Sequence, residues 1–449
     1  MNQQDFQQSL LDEAKNRGFS AAEVYIAGSR GLEVRVFSGN ISHYESSQQQ
    51  GVSFRGQIHD KMGYAFSEKL EPDVIAWLLD EAAANAEVLS DTENEDLFAG
   101  APWEPTDPYS SQLAEVPPQD LIDTATRLES SALEADKRIR AVEYAICEYG
   151  ESSRLIANTL GLHVEEKSNM MVALSLARAS EQDSLKRGFE VWKGRDFNTL
   201  DAAQIGREAA RKATDMLGAR SIKSGSYPVV LDKEAAASLL KTFLPVFFGD
   251  KIQQGFSMLG SKVNQLIASP AVSLVDEARC TSSFYQPAFD SEGVPTAGTR
   301  LIDQGVLQGF LHSRKTAAKA GISSTGNGFK PSWKAGIQVS ATNSYLVPGR
   351  QTRETLLSEM GNGLHITELT GLHAGTNMVS GDFSLSAEGF YVENGSRVYP
   401  VDQITVAGNF YEMLRHIQNT GNDLYFGMPG GGQVGSPSLL IEKLSISGQ

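Results

Sequence analysis

Cysteine is nearly absent from this chain of 449 residues: Cys147 and Cys280 are the only two, far apart and without CxxC spacing. That argues against a disulfide framework and a thiolate zinc site, and fits a reducing compartment. Long apolar runs are also missing, with no stretch of the eighteen or more residues that a membrane-spanning helix needs. The opening segment is polar, with helical spacing through Phe6, Leu10, Leu11 and Ala14 rather than a basic stretch followed by an apolar core. No secretory leader is expected, and the expected location is cytoplasmic. Positive charge is in deficit, 39 Lys and Arg against 55 Asp and Glu, for a net charge of -16. Such a chain repels phosphate backbones, so direct nucleic-acid binding is disfavoured.

Histidine is sparse as well. The seven are His43, His59, His163, His312, His365, His373 and His416, no two closer than eight residues. A helix-borne zinc site needs two imidazoles about a turn apart with a glutamate beside them, and no such pair exists here. A site assembled from distant residues such as His365, His373 and Asp382 stays open, which would make the chain an autonomous metallopeptidase. Walker A, GxGxxG and GxSxG patterns are missing too, since Gly255-Phe256-Ser257-Met258-Leu259-Gly260 has its second glycine one place too late.

What is present is an ordinary globular composition, 41% hydrophobic and 21% charged, in a chain long enough for two domains. After the opening helix, Leu32, Val34 and Val36 alternate with Glu33 and Arg35 as in a half-buried strand. Ser38-Gly39-Asn40 and the stretch Gly51 to Gly56 punctuate successive antiparallel turns. Helices are expected with Ile75, Leu78, Leu79 and Ala82 on one face, and with Leu121, Ala125, Leu128 and Ala132 on another. Five prolines between residues 100 and 118 mark a long connection. The polar stretch before the strand Tyr227 to Leu231 places the boundary between domains at 1–223 and 224–449. Beyond it short β-like runs dominate, with Glu393-Asn394-Gly395 a strong hairpin signal.

From Gln304 to Arg353 there is no Asp or Glu, whereas His312, Arg314, Lys315, Lys319, Lys330, Lys334, Arg350 and Arg353 all fall inside. The Gly and Ser content of this basic island predicts a long loop. Residues 1–100 carry 17 acidic and 7 basic side chains, a net of 7 − 17 = −10. The asymmetry suits subunit pairing or capture of peptide carboxylates, although charge runs are commonly just solvated. The cluster Gly430 to Gly435 could cradle an anion, but more often such a run is a tight turn before a strand.

Several stretches in order resemble one family: Arg35 to Asn40, Gly51 to Gly56 and Gly63-Tyr64-Ala65, then Phe289-Asp290-Ser291-Glu292-Gly293-Val294-Pro295-Thr296, Leu301 to Leu311, Gly381 to Leu385 and Ile404 to Asn409. Together they look like the TldD/PmbA (modulator of DNA gyrase) metallopeptidases. The resemblance implies an α+β protein. Its N-terminal mixed α/β domain would have an antiparallel sheet with flanking helices, and its C-terminal domain would be β-rich and barrel-like. It also implies a heterodimer with a TldD-type subunit, around an enclosed cavity, that cuts unfolded or short peptides. Family TldD-type chains carry HExxxH on a helix early in the second domain. The corresponding segment here, Leu239 to Val246, offers neither His nor Glu. The resemblance therefore points to the TldE/PmbA branch, with zinc in the partner, no metal or catalytic residue in this chain, and an indirect link to gyrase. A homodimer of this chain, or a peptide-binding adaptor, stays open beside that reading. Arg314 and Lys315, from the basic island, and Asn377 and Asp382, from Gly-rich motifs, are the expected substrate- or partner-facing residues.

Overall fold

The computed structural model describes residues 2–88, 96–428, 430 and 432–449. The first half contains α1 (Gln3–Asn16), β1 (Ala21–Phe37), β2 (Asn40–Ile58), β3 (Lys61–Ser67) and α2 (Pro72–Val88). It continues through α3 (Ser111–Ala114), α4 (Pro118–Ala135), β4 (Ile139–Asn158), β5 (His163–Glu181), β6 (Ser184–Gly194) and α5 (Ala202–Asp215). The strands form one antiparallel sheet in the order β3-β2-β1-β4-β5-β6.

Alternation along β1 sends Val24, Ile26, Val34 and Val36 to a single face, and the helices pack there. Helices α1 and α2 cover Val24, Ile26, Val52 and Phe54, while α4 and α5 cover Val34, Val36, Cys147 and Ala173. A polar belt separates these two cores. In it Ser29 lies opposite Gln49 and Ser152, and Glu151 takes salt bridges from Arg30 at 3.1 Å and Lys167 at 3.0 Å. The turn from β1 to β2 places Ser38 and Gly39 at φ 52 and 73. The buried Glu129 of α4 accepts both their N–H groups, at 2.6 and 2.7 Å, tying helix to hairpin.

The second half opens with β7 (Gly225–Leu231), α6 (Lys233–Phe243), α7 (Gly249–Gln253), β8 (Leu274–Glu277), β9 (Gly298–Asp303) and β10 (Val306–Leu307). Then come α8 (Arg314–Ala320), β11 (Gly328–Phe329), β12 (Gln338–Val339), β13 (Asn343–Leu346) and α9 (Arg353–Met360). The long strands β14 (Gly363–Thr370), β15 (Asp382–Glu393) and β16 (Ser396–Asn409) precede α10 (Phe410–Arg415). Last are β17 (Ile417–Thr420), β18 (Tyr425–Phe426), β19 (Gln433–Ser436) and β20 (Leu439–Ser447).

Strands β16-β15-β14-β7-β20 run side by side, and β16 also pairs with β20, so this set closes into the expected barrel. Closure leaves those strands no free edge. Its core holds Val229, Leu231, Leu364, Ile366, Leu385, Val406 and Ile441. Phe243 at the end of α6 plugs the same core, stacked on Phe410 with ring centroids 4.7 Å apart. A second sheet, β10-β9-β8-β13-β19-β18, packs against it. The β15–β16 hairpin turns through Asn394 and Gly395, at φ 49 and 77, as the sequence signal required.

The basic island is not the long loop expected. It contains β10, α8, β11, β12 and β13, with Asn327, Gly328, Phe329 and Ser344 buried. Its small polar residues are spent on structure: Ser313 caps α8, Gly321 ends it at φ 70, and Asn327 donates to Asp276 at 2.9 Å. Of the glycine cluster, Gly431 lies outside the described residues, and Gln433 to Ser436 form β19. Among the described residues no helix is long and apolar enough to cross a membrane.

Phe243→Ala would empty the centre of this core and should cost ~3–5 kcal/mol of unfolding free energy in chemical denaturation. A loss below about 1 kcal/mol would show that Phe243 is not the plug described.

Candidate functional site

The family-like stretches of the two halves meet at a buried charged seam. On β2, Phe54 turns into the helix-covered core, so its neighbours Ser53 and Arg55 point the other way, toward the second half. Arg55 lies opposite Glu23 of β1 and donates from Nε to Glu23 Oε1 at 2.7 Å; both side chains are almost completely buried. Asn158 of β4 donates to the other Glu23 oxygen at 3.3 Å.

The second half answers with the turn Asp290-Ser291-Glu292-Gly293. Asp290 Oδ1 accepts the N–H groups of Glu292 at 2.9 Å and Val294 at 3.0 Å, and Gly293 takes φ 76 to complete the reversal. Asp290 Oδ2 accepts the Gly328 N–H at 2.9 Å, and Glu292 Oε2 accepts the Arg314 N–H at 2.8 Å. A Cβ at 328 would stand 2.2 Å from Glu292 Oε2, so a side chain there would have to push that carboxylate aside. Lys330 then reaches across the seam, its Nζ donating to Ser53 Oγ at 2.6 Å and lying 5.1 Å from the Tyr25 ring centroid. A parallel stitch is made by Arg154 of β4, which pairs with Glu166, donates to the Phe289 carbonyl and stacks on the Phe289 ring at 4.6 Å.

Burial dominates the electrostatics here. Burial, with the Arg55 charge beside it, pushes the Lys330 ammonium down to about 8. Burial, and then the neighbouring Glu292 carboxylate, holds the Asp290 carboxyl well above the usual range. Glu292 is raised by burial too, opposed by the nearby positive charge of Arg55. The seam can therefore fix the two halves in register; within it Arg55 Nη2 is buried without a hydrogen-bond partner among the described residues.

None of this makes a metal centre: among the described residues no group of three or more His, Cys, Asp or Glu side chains stands ready to hold an ion. Helix α6 begins at the N-cap Asp232, buries Ala236, Leu240 and Phe243, and turns Ser238 and Thr242 back onto its own carbonyls. The residues present do not fit a zinc ion.

The scattered ligands His365, His373 and Asp382 are not brought together. His365 is completely buried on β14, with Arg397 Nε donating to its Nδ1 at 3.0 Å and its Nε2 donating to Asp232 Oδ2 at 3.0 Å. Burial keeps its pKa below the ordinary value although Asp232 opposes this. Asp382 is exposed at the start of β15, eight residues before the His365 partner Phe390, and His373 is exposed in the connection between those strands.

The expected contact residues separate into two places. Arg314 opens α8, and its guanidinium donates to the Asp96 and Leu97 carbonyls and lies over Phe98, while the neighbouring Lys315 is exposed. Asn377 caps a turn by accepting the N–H groups of Val379 and Ser380, and Asp382 accepts from Ser380 and Asn409. Sequence reasoning named the stretches that hold Arg55, Asp290, Glu292 and Lys330 but not their pairing with one another or with Glu23. The available signal was a lone Arg or Lys beside Phe in two short strand-like runs.

Three family models cover almost the whole chain: PmbA/TldA metallopeptidase domain 1 over residues 22–86, the central domain over 111–217 and the C-terminal domain over 224–448. The chain belongs to the PmbA/TldD metallopeptidase family. Among PmbA/TldD relatives, Metalloprotease PmbA of Escherichia coli is 27% identical, the alignment covering 100% of this chain and 98% of that protein. A Metalloprotease TldD homolog of Haemophilus influenzae is 23% identical over 98% of this chain and 95% of its own length. A Thermotoga maritima structure described as a modulator of a DNA gyrase superposes with TM-score 0.91 and 31% identity, covering 99% of this chain and 100% of that one. TldE from Thermococcus kodakarensis shares the fold at TM-score 0.91 and 24% identity, with the same coverage.

Arg55→Met would leave Glu23 buried without its cation and should destabilise the protein by ~3–5 kcal/mol, with much of this recovered in Glu23→Gln/Arg55→Met. Additive losses would refute the pairing. Lys330 has a folded pKa of about 8 against an ordinary 10.5. The unfolded chain thus binds more protons between these values, and this residue makes stability rise with pH across that window. Lys330→Met should lose that rise in chemical denaturation at pH 8 and pH 10, and an unchanged pH slope would count against it.

Proposed function

We propose that this chain is the zinc-free, TldE/PmbA-type subunit of a two-chain zinc metallopeptidase, which completes a cavity for unfolded or short peptides with a TldD-type partner. The observation that carries this reading is α6, which bears no His or Glu pair on the helix early in the second half, in a chain of a metallopeptidase family. The zinc and the water-activating carboxylate belong to the partner on this reading, and this chain contributes walls and binding surface. Any effect on gyrase is indirect, through the peptides removed. The division into units 1–223 and 224–449, a cytoplasmic setting and homodimer formation without the partner are part of the same proposal.

Arg314, Lys315, Asn377 and Asp382 remain the proposed substrate- or partner-facing residues. Lys315, Asn377 and Asp382 have the exposure this needs, whereas the Arg314 guanidinium holds the segment 96–98 and would act by shaping that surface. Charge reversal at Arg314 and Lys315 should weaken assembly or peptide capture; unaltered behaviour in both assays would remove them from the surface.

The purified chain should hold no stoichiometric zinc by mass spectrometry and should not cleave peptides. Mixed with the zinc-bearing family member it should give a complex whose peptidase activity a chelator abolishes. Stoichiometric zinc bound by this chain alone would overturn the reading.

A further inference from the structure

Three lysines of the first half reach across to the second, and one of them meets no carboxylate. Lys186 of β6 lies between Glu388 and Asp402, at 3.1 and 2.6 Å. Lys212 of α5 lies between Glu234 of α6 and Glu190 of β6, at 3.1 and 3.2 Å. Lys193, near the end of β6, instead donates from Nζ to the carbonyls of Phe426 at 2.6 Å and Gly427 at 2.8 Å, where β18 runs into its turn. It makes no salt bridge among the described residues.

That set of partners suits an amine as well as an ammonium. A neutral amine has two hydrogens, enough for the two carbonyls, and keeps its lone pair. Burial brings the Lys193 ammonium down to about 8, although Glu234 opposes this. The Tyr425 ring, 5.0 Å from Nζ, also favours the charged form, and Lys233 of α6 shares that ring at 5.7 Å. About a tenth of Lys193 is then free amine at pH 7, against under about a thousandth for an ordinary lysine. Desolvated lysines of this kind act as nucleophiles. The side chain is only half-buried, which leaves a small electrophile a way in.

We propose that Lys193 is a covalent modification site that takes an acyl group from an activated thioester. The amine attacks the thioester carbonyl carbon, a C–N bond forms, the C–S bond breaks, and the thiolate leaves with the proton that nitrogen gives up. The amide product keeps a single N–H for two carbonyls, so acylation loosens the turn after β18 from the first sheet.

The full chain suffices for the test, whichever partner it serves. Incubated with an acetyl thioester at pH 7 and mapped by mass spectrometry, Lys193 should be acetylated about tenfold faster than the exposed Lys69 and Lys241, because its larger amine fraction outweighs the poorer nucleophilicity of a weaker base. Urea should erase the preference. Equal rates in the folded chain, or a preference that survives in urea, would overturn the assignment. Lys193→Gln, which mimics the acylated side chain, should speed hydrogen exchange at the Gly427 amide, bonded to the Val434 carbonyl at 3.2 Å. Unchanged exchange there would overturn the loosening.

Discussion

Arg55 carries a full positive charge into the interior, and both halves of the molecule are arranged around it. A guanidinium taken out of water costs several kcal/mol unless it is paired and hydrogen-bonded. Glu23 supplies the pair from the neighbouring strand, and the Glu292 carboxylate approaches from the other half. Once Glu292 must stand there, the tight turn at Asp290 to Gly293 follows, and the glycine at 328 leaves its carboxylate room. The seam therefore sets the register between a sheet and a barrel that share no strand.

Much of the architecture could be read before the structure. Period-two alternation in Leu32 to Val36, the helical stripe Leu121 to Ala132 and the Asn394-Gly395 turn each report a local preference that packing reinforces. The polar segment Ser46 to Gln50 reads poorly as strand, yet it is the middle of β2, since its ladder to β1 is fixed by Val52 and Phe54 beyond it. The basic island misled for a related reason. Its Gly, Ser and Asn residues look like solvent-facing loop, but Asn327 and Ser344 are satisfied by the buried carboxylate Asp276, a partner 51 and 68 positions away that no local pattern shows.

The sequence offers no pair of imidazoles a helical turn apart, and the fold places the histidines individually: His365 is clamped between Asp232 and Arg397, and His312 is buried against Thr316. Of the two, His365 is held in one tautomer, because Arg397 Nε can only donate to its Nδ1. The charged seam was hidden because its members come from β1, β2, β4 and three separate stretches of the second half, and only tertiary structure brings them within hydrogen-bonding distance.

Closure of the barrel has a temporal side. Strand β7 begins the second half and pairs with both β14 and β20, while β20 also meets β16. During synthesis β7 therefore stays without one neighbour until the residues of β20 have been made, some two hundred positions later. The first sheet is complete by residue 194 and can fold as a unit in the meantime. The growing chain would then present a finished sheet beside an open, aggregation-prone half barrel. Its most vulnerable moment comes just before the last strand is added.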